Sequence, residues 1–165
     1  MNQRINQEVF MKRNLFSALI IAIFLMTATS GFAFSLFSNG TETLTPKNGE
    51  LLIPIKNIDD GTAHYFEAVA QDGTKVRFFT LKSKDGIIRA AFDTCDVCYR
   101  SGKGYKQDGD YMVCQNCGQR FASNKINEVK GGCNPSPLNR IIENGNLIVS
   151  MKDINDNSWY FQNRR

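Results

Sequence analysis

Five cysteines are the residues of this sequence whose type and spacing could do chemistry. Four of them form two Cys-x-x-Cys pairs with fifteen residues between the pairs, and the fifth follows in the segment KGGCNPSPL: Cys95, Cys98, Cys114, Cys117 and Cys133. Two thiolates on one tight turn can reach one ion, and two such turns facing each other complete a tetrahedron of sulfur. The spacing therefore predicts a metal site in which the two pairs are the ligands and Cys133 is an alternative ligand or an outer neighbour of the metal.

The chain between Cys95 and Cys133 has too few apolar residues to fold by burial alone. It contains six of the thirteen glycines of the protein, and so little apolar surface cannot offset the backbone entropy, so a metal or disulfide staple is needed. Zinc, a single iron ion and an iron–sulfur cluster all accept four thiolates, which leaves the metal open. Two disulfides would leave one of the five cysteines unpaired. A redox dithiol is disfavoured because no helix is predicted after either pair to lower a thiol pKa.

The segments that must position the first cysteine pair are predicted to be strands. AHYFEAVA and KVRFFTLK flank the turn QDGT as in a β-hairpin, and IIRAAFD leads from the next turn into Cys95. These strands are expected to supply the hydrophobic core, which is predicted to contain Phe66, Val69, Val76, Phe78, Phe79, Leu81, Ile87, Ile88 and Phe92.

Further strands are predicted on both sides of this meander. ELLIPIKNI is a short strand in which Pro54 favours a sheet edge or a bulge. After the cysteines, RIIENGNLIVSM contains an Asn-Gly turn signal, and SWYF is predicted to close the sheet. The predicted fold class is mainly β (β-rich α+β): an antiparallel sheet domain with a four-cysteine metal-knuckle insertion, preceded by one N-terminal transmembrane helix.

The N-terminal apolar segment predicts that the chain reaches a membrane. Residues 15–37 carry no charge and are long enough to span a bilayer as a helix. Lys12 and Arg13 precede them, which places the N-terminus in the cytoplasm and the remainder across the membrane. The alternative is a signal peptide cut near 28–30 or 31–33, which would release the protein to the periplasm. The predicted organisation is a cytoplasmic basic N-terminus at 1–13, a transmembrane anchor or signal sequence at 14–37, a linker at 38–48 and an extracytoplasmic domain at 49–165.

The remaining composition excludes several functions. The net charge is +4, but five basic residues lie at the two ends of the chain, so no nucleic-acid surface is indicated. His64 is the only histidine and is expected to be an ordinary half-buried strand residue. Asp93 and Asp96 flank Cys95 and are predicted to be solvated turn residues. No arrangement of nucleophile and base or of paired carboxylates indicates an enzyme.

Three stretches resemble a known family. FDTCDVCY, KGYKQDGDYMVCQNCGQRF and INEVKGGCNPSPL are similar to the FtrD-like membrane iron–sulfur domain, over about 49–159 of this chain. The GGCNPSPL element is the most specific, because zinc ribbons do not carry it. All five cysteines match cysteines of the family, and the resemblance implies a membrane-attached protein with an iron–sulfur centre.

The resemblance also implies a role. Relatives are associated with bacterial ferrous-iron uptake systems that contain a permease and cupredoxin-like periplasmic proteins, which implies electron transfer coupled to iron import. Many relatives carry more membrane helices than the one segment predicted here, which argues against a direct transport role. We therefore expect a non-enzymatic electron-transfer component of an iron-uptake system. The alternative is a zinc-stapled extracytoplasmic domain that binds a partner protein and has no redox role.

Overall fold

A computed structural model describes residues 40–162 of the chain, and within them it has ten strands, one short α-helix and four 3-10 turns. The strands are β1 Thr41–Thr43, β2 Glu50–Pro54, β3 His64–Val69, β4 Lys75–Lys82, β5 Ile88–Phe92, β6 Tyr105–Asp108, β7 Tyr111–Cys114, β8 Arg120–Ala122, β9 Ile141–Glu143 and β10 Asn146–Ser150. The helix is α1 Met151–Asp156, and the 3-10 turns are Ile55–Asn57, Tyr99–Ser101, Ser123–Lys125 and Ser158–Phe161.

The strands form three sheets. The central sheet has the order β1-β3-β4-β5, the second has the order β2-β10-β9, and the third has the order β6-β7-β8. All neighbouring strands in these sheets are antiparallel except β1 and β3, which run parallel. The predicted mainly β, antiparallel fold class is confirmed. Pro54 ends β2, which is an edge strand, in agreement with its predicted place in a sheet.

The central sheet is buried on both faces, because successive side chains of a strand point to opposite sides. On β4, Val76 and Phe78 enter a core shared with the second sheet and α1. Phe79 and Leu81 of the same strand enter a second core that contains the aromatic and sulfur side chains of the third sheet. The cysteine segment therefore packs on the face of the central sheet opposite to the second sheet and α1.

The C-terminal end of the described chain differs from the predicted strand. SWYF forms a 3-10 turn, Ser158–Phe161, after the short helix α1. Its last two aromatic rings pack against Phe92 at the end of β5, with centroid distances of 6.4 Å for Tyr160 and 6.2 Å for Phe161. Strand pairing would place alternate rings on opposite faces, whereas the tight turn buries both consecutive rings, and this tertiary contact outweighs their β propensity.

Two residues of the predicted core are also on the surface. Val69 is 48% exposed and Ile87 is 45% exposed. Val69 lies on the face of β3 opposite to Phe66 and Ala68, at the end of the strand, and Ile87 lies in the turn that precedes β5. The other seven predicted core residues are buried.

The predicted anchor or signal sequence at 14–37 lies outside the described residues. Within residues 40–162, no helix has the length and apolar character needed to cross a bilayer.

Candidate metal centre

The first cysteine pair lies on a turn that leaves the central sheet at the end of β5. The backbone N–H of Tyr99 donates to the Cys95 carbonyl at 3.2 Å, and the N–H of Cys98 donates to the Cys95 Sγ at 3.2 Å. A 3-10 turn follows and ends at Gly102 with a left-handed φ of 64°. The backbone itself thus directs a donor at one sulfur and brings the second sulfur to the same side.

The second cysteine pair lies on the turn between β7 and β8. The N–H of Gly118 donates to the Cys114 carbonyl at 2.8 Å, and the N–H of Cys114 donates to the Gln119 carbonyl at 3.0 Å. Gly118 has a φ of 74°, a left-handed conformation that a glycine adopts without steric cost. A further bond, from the N–H of Gln115 to the Gly104 carbonyl at 2.9 Å, ties this turn to the chain that follows the first pair.

The loop that carries the fifth cysteine is held alongside β5 by bonds to the backbone of that strand. Asn127 has a φ of 70°, and its side-chain amide exchanges two hydrogen bonds with the backbone of Ala90, at 3.0 and 2.6 Å. Downstream, Pro137 forms a β-bridge with Ala91. The Tyr105 hydroxyl donates to the Cys133 carbonyl at 2.5 Å.

All five thiol groups meet at one place. The Sγ atoms of Cys95, Cys98 and Cys133 lie within 4.8 Å of one another, and so do the Sγ atoms of Cys98, Cys114 and Cys117. All five cysteines are free thiols. The structure therefore brings together every cysteine that the sequence singles out, with Cys98 in both groups.

The electrostatics of these thiols differ with their depth. Cys95 and Cys114 are buried, whereas Cys117 is exposed. Burial raises the pKa of Cys114 to about 11. Burial also raises the pKa of Cys133, whereas the Gln119 backbone N–H lowers the pKa of Cys117. A buried thiolate therefore requires a cation beside it, and a bound metal ion supplies that charge.

Tyr105 contributes to the site, a role that the spacing of the cysteines does not reveal. Its ring is buried against Phe79 and Phe121 in the second core. Burial raises the pKa of Tyr105 far above its usual value, and the neighbouring Cys95 thiol raises it further. The hydroxyl therefore remains a donor, placed between two of the sulfur-bearing segments.

Asp93 is not the solvated turn residue that was predicted. It is only 6% exposed, accepts the Tyr105 N–H at 2.7 Å, and forms an ion pair with Arg77 at 3.3 Å. Asp96 is exposed, but its carboxylate accepts hydrogen bonds from Ser136 and Tyr160. The two carboxylates flanking the first cysteine thus bind the start of β6, the loop after Cys133 and the C-terminal 3-10 turn.

His64 behaves as the sequence predicts. It begins β3, is 30% exposed, and its Nε2 lies 2.9 Å from the Asp60 carboxylate. Neither group of potential metal ligands includes it.

The family described as "Membrane iron-sulfur containing protein FtrD-like" matches residues 58–161, which is more than half of the chain. The chain belongs to the FtrD-like family. The resemblance seen in the cysteine motifs is thereby confirmed, and membership supports iron–sulfur and membrane association at the level of the family.

The other comparisons add little to the FtrD-like assignment. No curated protein matches the chain. A crystal structure of the quaternary ammonium Rieske monooxygenase CntA with an inhibitor is similar at 14% identity and a TM-score of 0.40. The match covers 62% of this chain and 31% of that one, so this chain spans about a third of that enzyme.

The residues of this FtrD-like chain fit an iron-containing centre. Five soft sulfur donors converge, and thiolates are the ligands that hold iron–sulfur centres and tetrahedral metal ions. Two of the donors are buried beside apolar and aromatic side chains of the second core, which limits access of water. The donor set alone accepts zinc as well.

Proposed function

We propose that the protein is a membrane-anchored electron-transfer component of a bacterial iron-uptake system, with an iron–sulfur centre held by its cysteines. The observation that carries this proposal is the convergence of all five thiols in two overlapping groups. When bound, such a centre supplies one-electron oxidation and reduction. The chain supplies the ligands, a partly dry environment and a fixed geometry.

The gradient of burial across the cysteines supports electron exchange at the surface. Cys95 and Cys114 face the core, while Cys117 is exposed on the β7–β8 turn. A centre held between them would have one side shielded by Tyr105 and Phe121 and the other side within reach of a docked protein. We propose that the partners are redox proteins or the permease of the uptake system.

The space around the sulfurs supports an electron carrier rather than an enzyme. A cavity of about 10 Å³ is lined by Cys95, Cys98, Cys114 and Tyr105. This volume is that of about one water molecule, and it leaves no room behind the thiols for an organic substrate. Electron transfer requires no such room.

The position relative to the membrane is part of the same proposal. We propose that residues 14–37 anchor the protein and that the domain from residue 49 lies outside the cytoplasm, with release to the periplasm by signal cleavage as the alternative. The family description, which names a membrane protein, supports the anchor. Cell fractionation with a C-terminal tag, followed by protease treatment of spheroplasts, distinguishes the anchored protein from the protein released to the periplasm.

The proposed centre is tested with the variant Cys114→Ser in the full chain, purified in detergent without oxygen. We expect the wild type to show visible absorbance and the variant to lose it, because serine removes a buried sulfur ligand with little change in volume. The remote, exposed substitution Glu50→Gln on β2 is the control and should leave the colour unchanged. Unchanged colour in Cys114→Ser would contradict the assignment.

A zinc-stapled binding domain is the second candidate, and the β7–β8 turn favours it. That turn, with Cys114 and Cys117 at its ends and the Gly118 amide on the Cys114 carbonyl, has the form of a zinc knuckle. Stoichiometric zinc with no iron, in protein purified without oxygen, would favour this function and exclude electron transfer at the site.

Tyr105→Phe is expected to lower the reduction potential of the centre while leaving its metal content intact. A donor close to the sulfur ligands stabilises the more negative, reduced state, and the Tyr105 hydroxyl is such a donor, because it bonds to the Cys133 carbonyl at 2.5 Å and lies beside Cys95. Loss of one hydrogen bond of about 1 kcal/mol corresponds to about 40 mV for one electron. Redox titration of the two proteins measures the shift. The control is Tyr111→Phe, whose ring is exposed on β7, and an equal shift in both variants would argue against a specific role of Tyr105.

A further inference from the structure

An aromatic and cationic patch lies beside the first cysteine pair. It is formed by Trp159 on the C-terminal 3-10 turn and by Tyr99 and Arg100 on the 3-10 turn that follows Cys98. We propose that this patch, with the neighbouring Lys103, is the surface on which an acidic electron-carrier protein docks. The redox nature of the partner rests on the proposed function, whereas its acidic character rests on the patch alone.

The aromatic rings of the patch are packed against one another. The Trp159 ring stacks on Tyr160 at a centroid distance of 3.8 Å, and Tyr99 meets both rings edge-on, at 5.5 Å from Trp159 and 5.9 Å from Tyr160. Trp159 nevertheless remains 47% exposed, and it is the single tryptophan of the chain. A large ring that is held in place and still open to solvent offers contact area to a partner at a low cost in side-chain entropy.

Arg100 adds a positive charge to the same patch. Its guanidinium carbon lies 5.7 Å from the centroid of the Tyr99 ring, and its Nε donates to the Tyr99 hydroxyl at 3.2 Å. Arg100 and Lys103 are both exposed, and among residues 40–162 neither forms an ion pair with a carboxylate. Tryptophan, tyrosine and arginine are also the residue types that most often dominate the binding energy of protein–protein interfaces.

The carboxylates that flank the first cysteine are engaged elsewhere. Asp96 accepts hydrogen bonds from two neighbouring hydroxyl groups, and Asp93 is buried and paired with Arg77. On α1, which precedes the C-terminal 3-10 turn, Asp156 pairs with Lys152. The two cations of the patch therefore remain available for carboxylates of a partner, and complementary charge both steers the encounter and fixes its orientation.

A second contact between an arginine and a tyrosine shows the contrast. On the third sheet, the Arg120 guanidinium lies 4.7 Å from the centroid of the Tyr111 ring, which is also exposed. There the Asp108 carboxylate pairs with Arg120 and compensates its charge. The patch at Trp159 differs because its arginine has no such partner within the part of the chain that the structure describes.

The patch adjoins the candidate metal centre through covalent and hydrogen bonds. Tyr99 directly follows Cys98, and the Tyr160 hydroxyl donates to the carboxylate of Asp96, the residue after Cys95. A protein seated on the patch therefore lies against the turn that carries the first cysteine pair. Electron transfer slows steeply with distance, so this is a favourable place for a carrier. One electron passes between the carrier and the centre in each encounter, so that one is oxidised as the other is reduced, and no atom is transferred.

The test uses the full chain in detergent, immobilised through an N-terminal tag so that the C-terminus beside the patch stays unmodified. The probes are two small one-electron carriers of opposite charge, an acidic plant-type ferredoxin and the basic cytochrome c. Surface plasmon resonance measures the binding of each. We expect the ferredoxin to bind and cytochrome c not to bind, and we expect ferredoxin binding to weaken as the ionic strength rises from about 0.05 to about 0.3 M.

Four variants locate the ferredoxin-binding surface. Arg100→Glu is expected to raise the Kd for ferredoxin about tenfold, since it places a like charge opposite the partner. Trp159→Ala is expected to raise the Kd about thirtyfold, and Trp159→Phe, which keeps an aromatic ring, by less. Lys56→Glu is the control because it makes nearly the same charge change at an exposed site, at the opposite end of β10 from α1. Its Kd should change less than about twofold.

The metal content of these variants should equal that of the wild type, because none of them removes a sulfur. An Arg100→Glu protein that keeps its metal is folded, so its loss of binding reports the surface. Absence of ferredoxin binding, equal binding of both carriers, or equal losses in Arg100→Glu and Lys56→Glu would overturn the docking patch while the iron centre stands.

Two further outcomes separate this inference from its alternatives. A blue shift of Trp159 emission in nanodiscs of phosphatidylglycerol, relative to nanodiscs of phosphatidylcholine, would show that the patch lies on anionic lipid and would overturn the docking of a protein there. Zinc without iron, together with selective ferredoxin binding, would overturn the proposed electron transfer but support the patch as a docking surface for an acidic protein.

Discussion

Gly104→Ala is expected to lower the free energy of unfolding by about 4 kcal/mol, a large effect for the addition of one methyl group. Gly104 has a φ of 69°, and a Cβ atom there would lie 2.3 Å from both carboxylate oxygens of Asp93. The left-handed conformation alone costs about 1 kcal/mol in a residue other than glycine. Displacing Asp93, which is buried and paired with Arg77, adds the cost of breaking a buried ion pair, about 3 kcal/mol.

The cost of Gly104→Ala should extend to the metal centre. Asp93 accepts the N–H of Tyr105, and the Gly104 carbonyl accepts the N–H of Gln115 on the turn between β7 and β8 that carries the second cysteine pair. A shift of this chain therefore moves the two cysteine pairs relative to each other. We expect metal content to fall together with stability, as measured by urea unfolding of the full chain in detergent, followed by the fluorescence of the single tryptophan.

Gly109→Ala is the matched control for the clash between the added methyl group and Asp93. Gly109 also has a positive φ, 56°, but nothing lies within 4 Å of an added Cβ. Gly109→Ala should therefore lower the free energy of unfolding by only about 1 kcal/mol, the cost of the left-handed backbone conformation. In an Asp93→Ala background the added methyl of Gly104→Ala meets no carboxylate, and its further cost should fall to the same value. Equal costs for Gly104→Ala and Gly109→Ala in the wild-type background would mean that Asp93 does not fix this turn.

The hairpin β3–β4 and the strand β5 are predictable from the sequence because their information is local. Alternating apolar residues and the turns QDGT and SKDG determine both strand type and register over a short distance. The same holds for the two knuckles, since each Cys-x-x-Cys turn is closed by its own backbone bonds. These features need no knowledge of distant parts of the chain.

The grouping of Cys133 with Cys95 could not be predicted in this way, because it depends on contacts between distant segments. Asn127 substitutes for a strand partner of Ala90, and Pro137 bridges to Ala91. Cysteine spacing reports which sulfurs are near along the chain, so it favours the two pairs as the ligands. It does not reveal that Cys98 lies in both groups.

The 3-10 turn at SWYF has the same explanation. Its aromatic residues are strand formers by propensity, but the space beside Phe92 accommodates two consecutive rings. By contrast, one signal for a buried network was present in the sequence: the arginine of IIRAAF lies among residues that all read as core. A charged side chain in a strand that is otherwise apolar indicates that its partners come from elsewhere in the fold.

That arginine, Arg89, carries the last prediction. It is 2% exposed on β5, and its guanidinium reaches four acceptors. Nε donates to Ser83 Oγ at 2.9 Å, Nη2 to the Asp85 carboxylate at 2.6 Å, and Nη1 to both the Ile126 carbonyl at 2.8 Å and the Glu128 carboxylate at 2.7 Å. The side chain thus joins the β4–β5 turn to the segment that leads to Cys133.

Arg89→Met is expected to lower the free energy of unfolding by about 3 kcal/mol. Methionine fills much of the volume but leaves the Ser83 hydroxyl and the Ile126 carbonyl without their donor. The value lies at the lower end for a broken buried ion pair because Asp85 is 38% exposed and Glu128 is 60% exposed, so water can solvate the carboxylates left behind. Urea unfolding monitored by tryptophan fluorescence measures the change.

Lys84→Met is the control, because it removes a cation from the same turn at a site that is 75% exposed and pairs with one carboxylate, Asp110. A surface ion pair contributes at most about 1 kcal/mol, so this variant should remain close to the wild type. We also expect Arg89→Met to reduce the metal content of the purified protein, because Arg89 holds the segment that leads to Cys133. If the two variants lose equal stability, Arg89 does not hold this loop, and the position of Cys133 must come from the contacts of Asn127 and Pro137 alone.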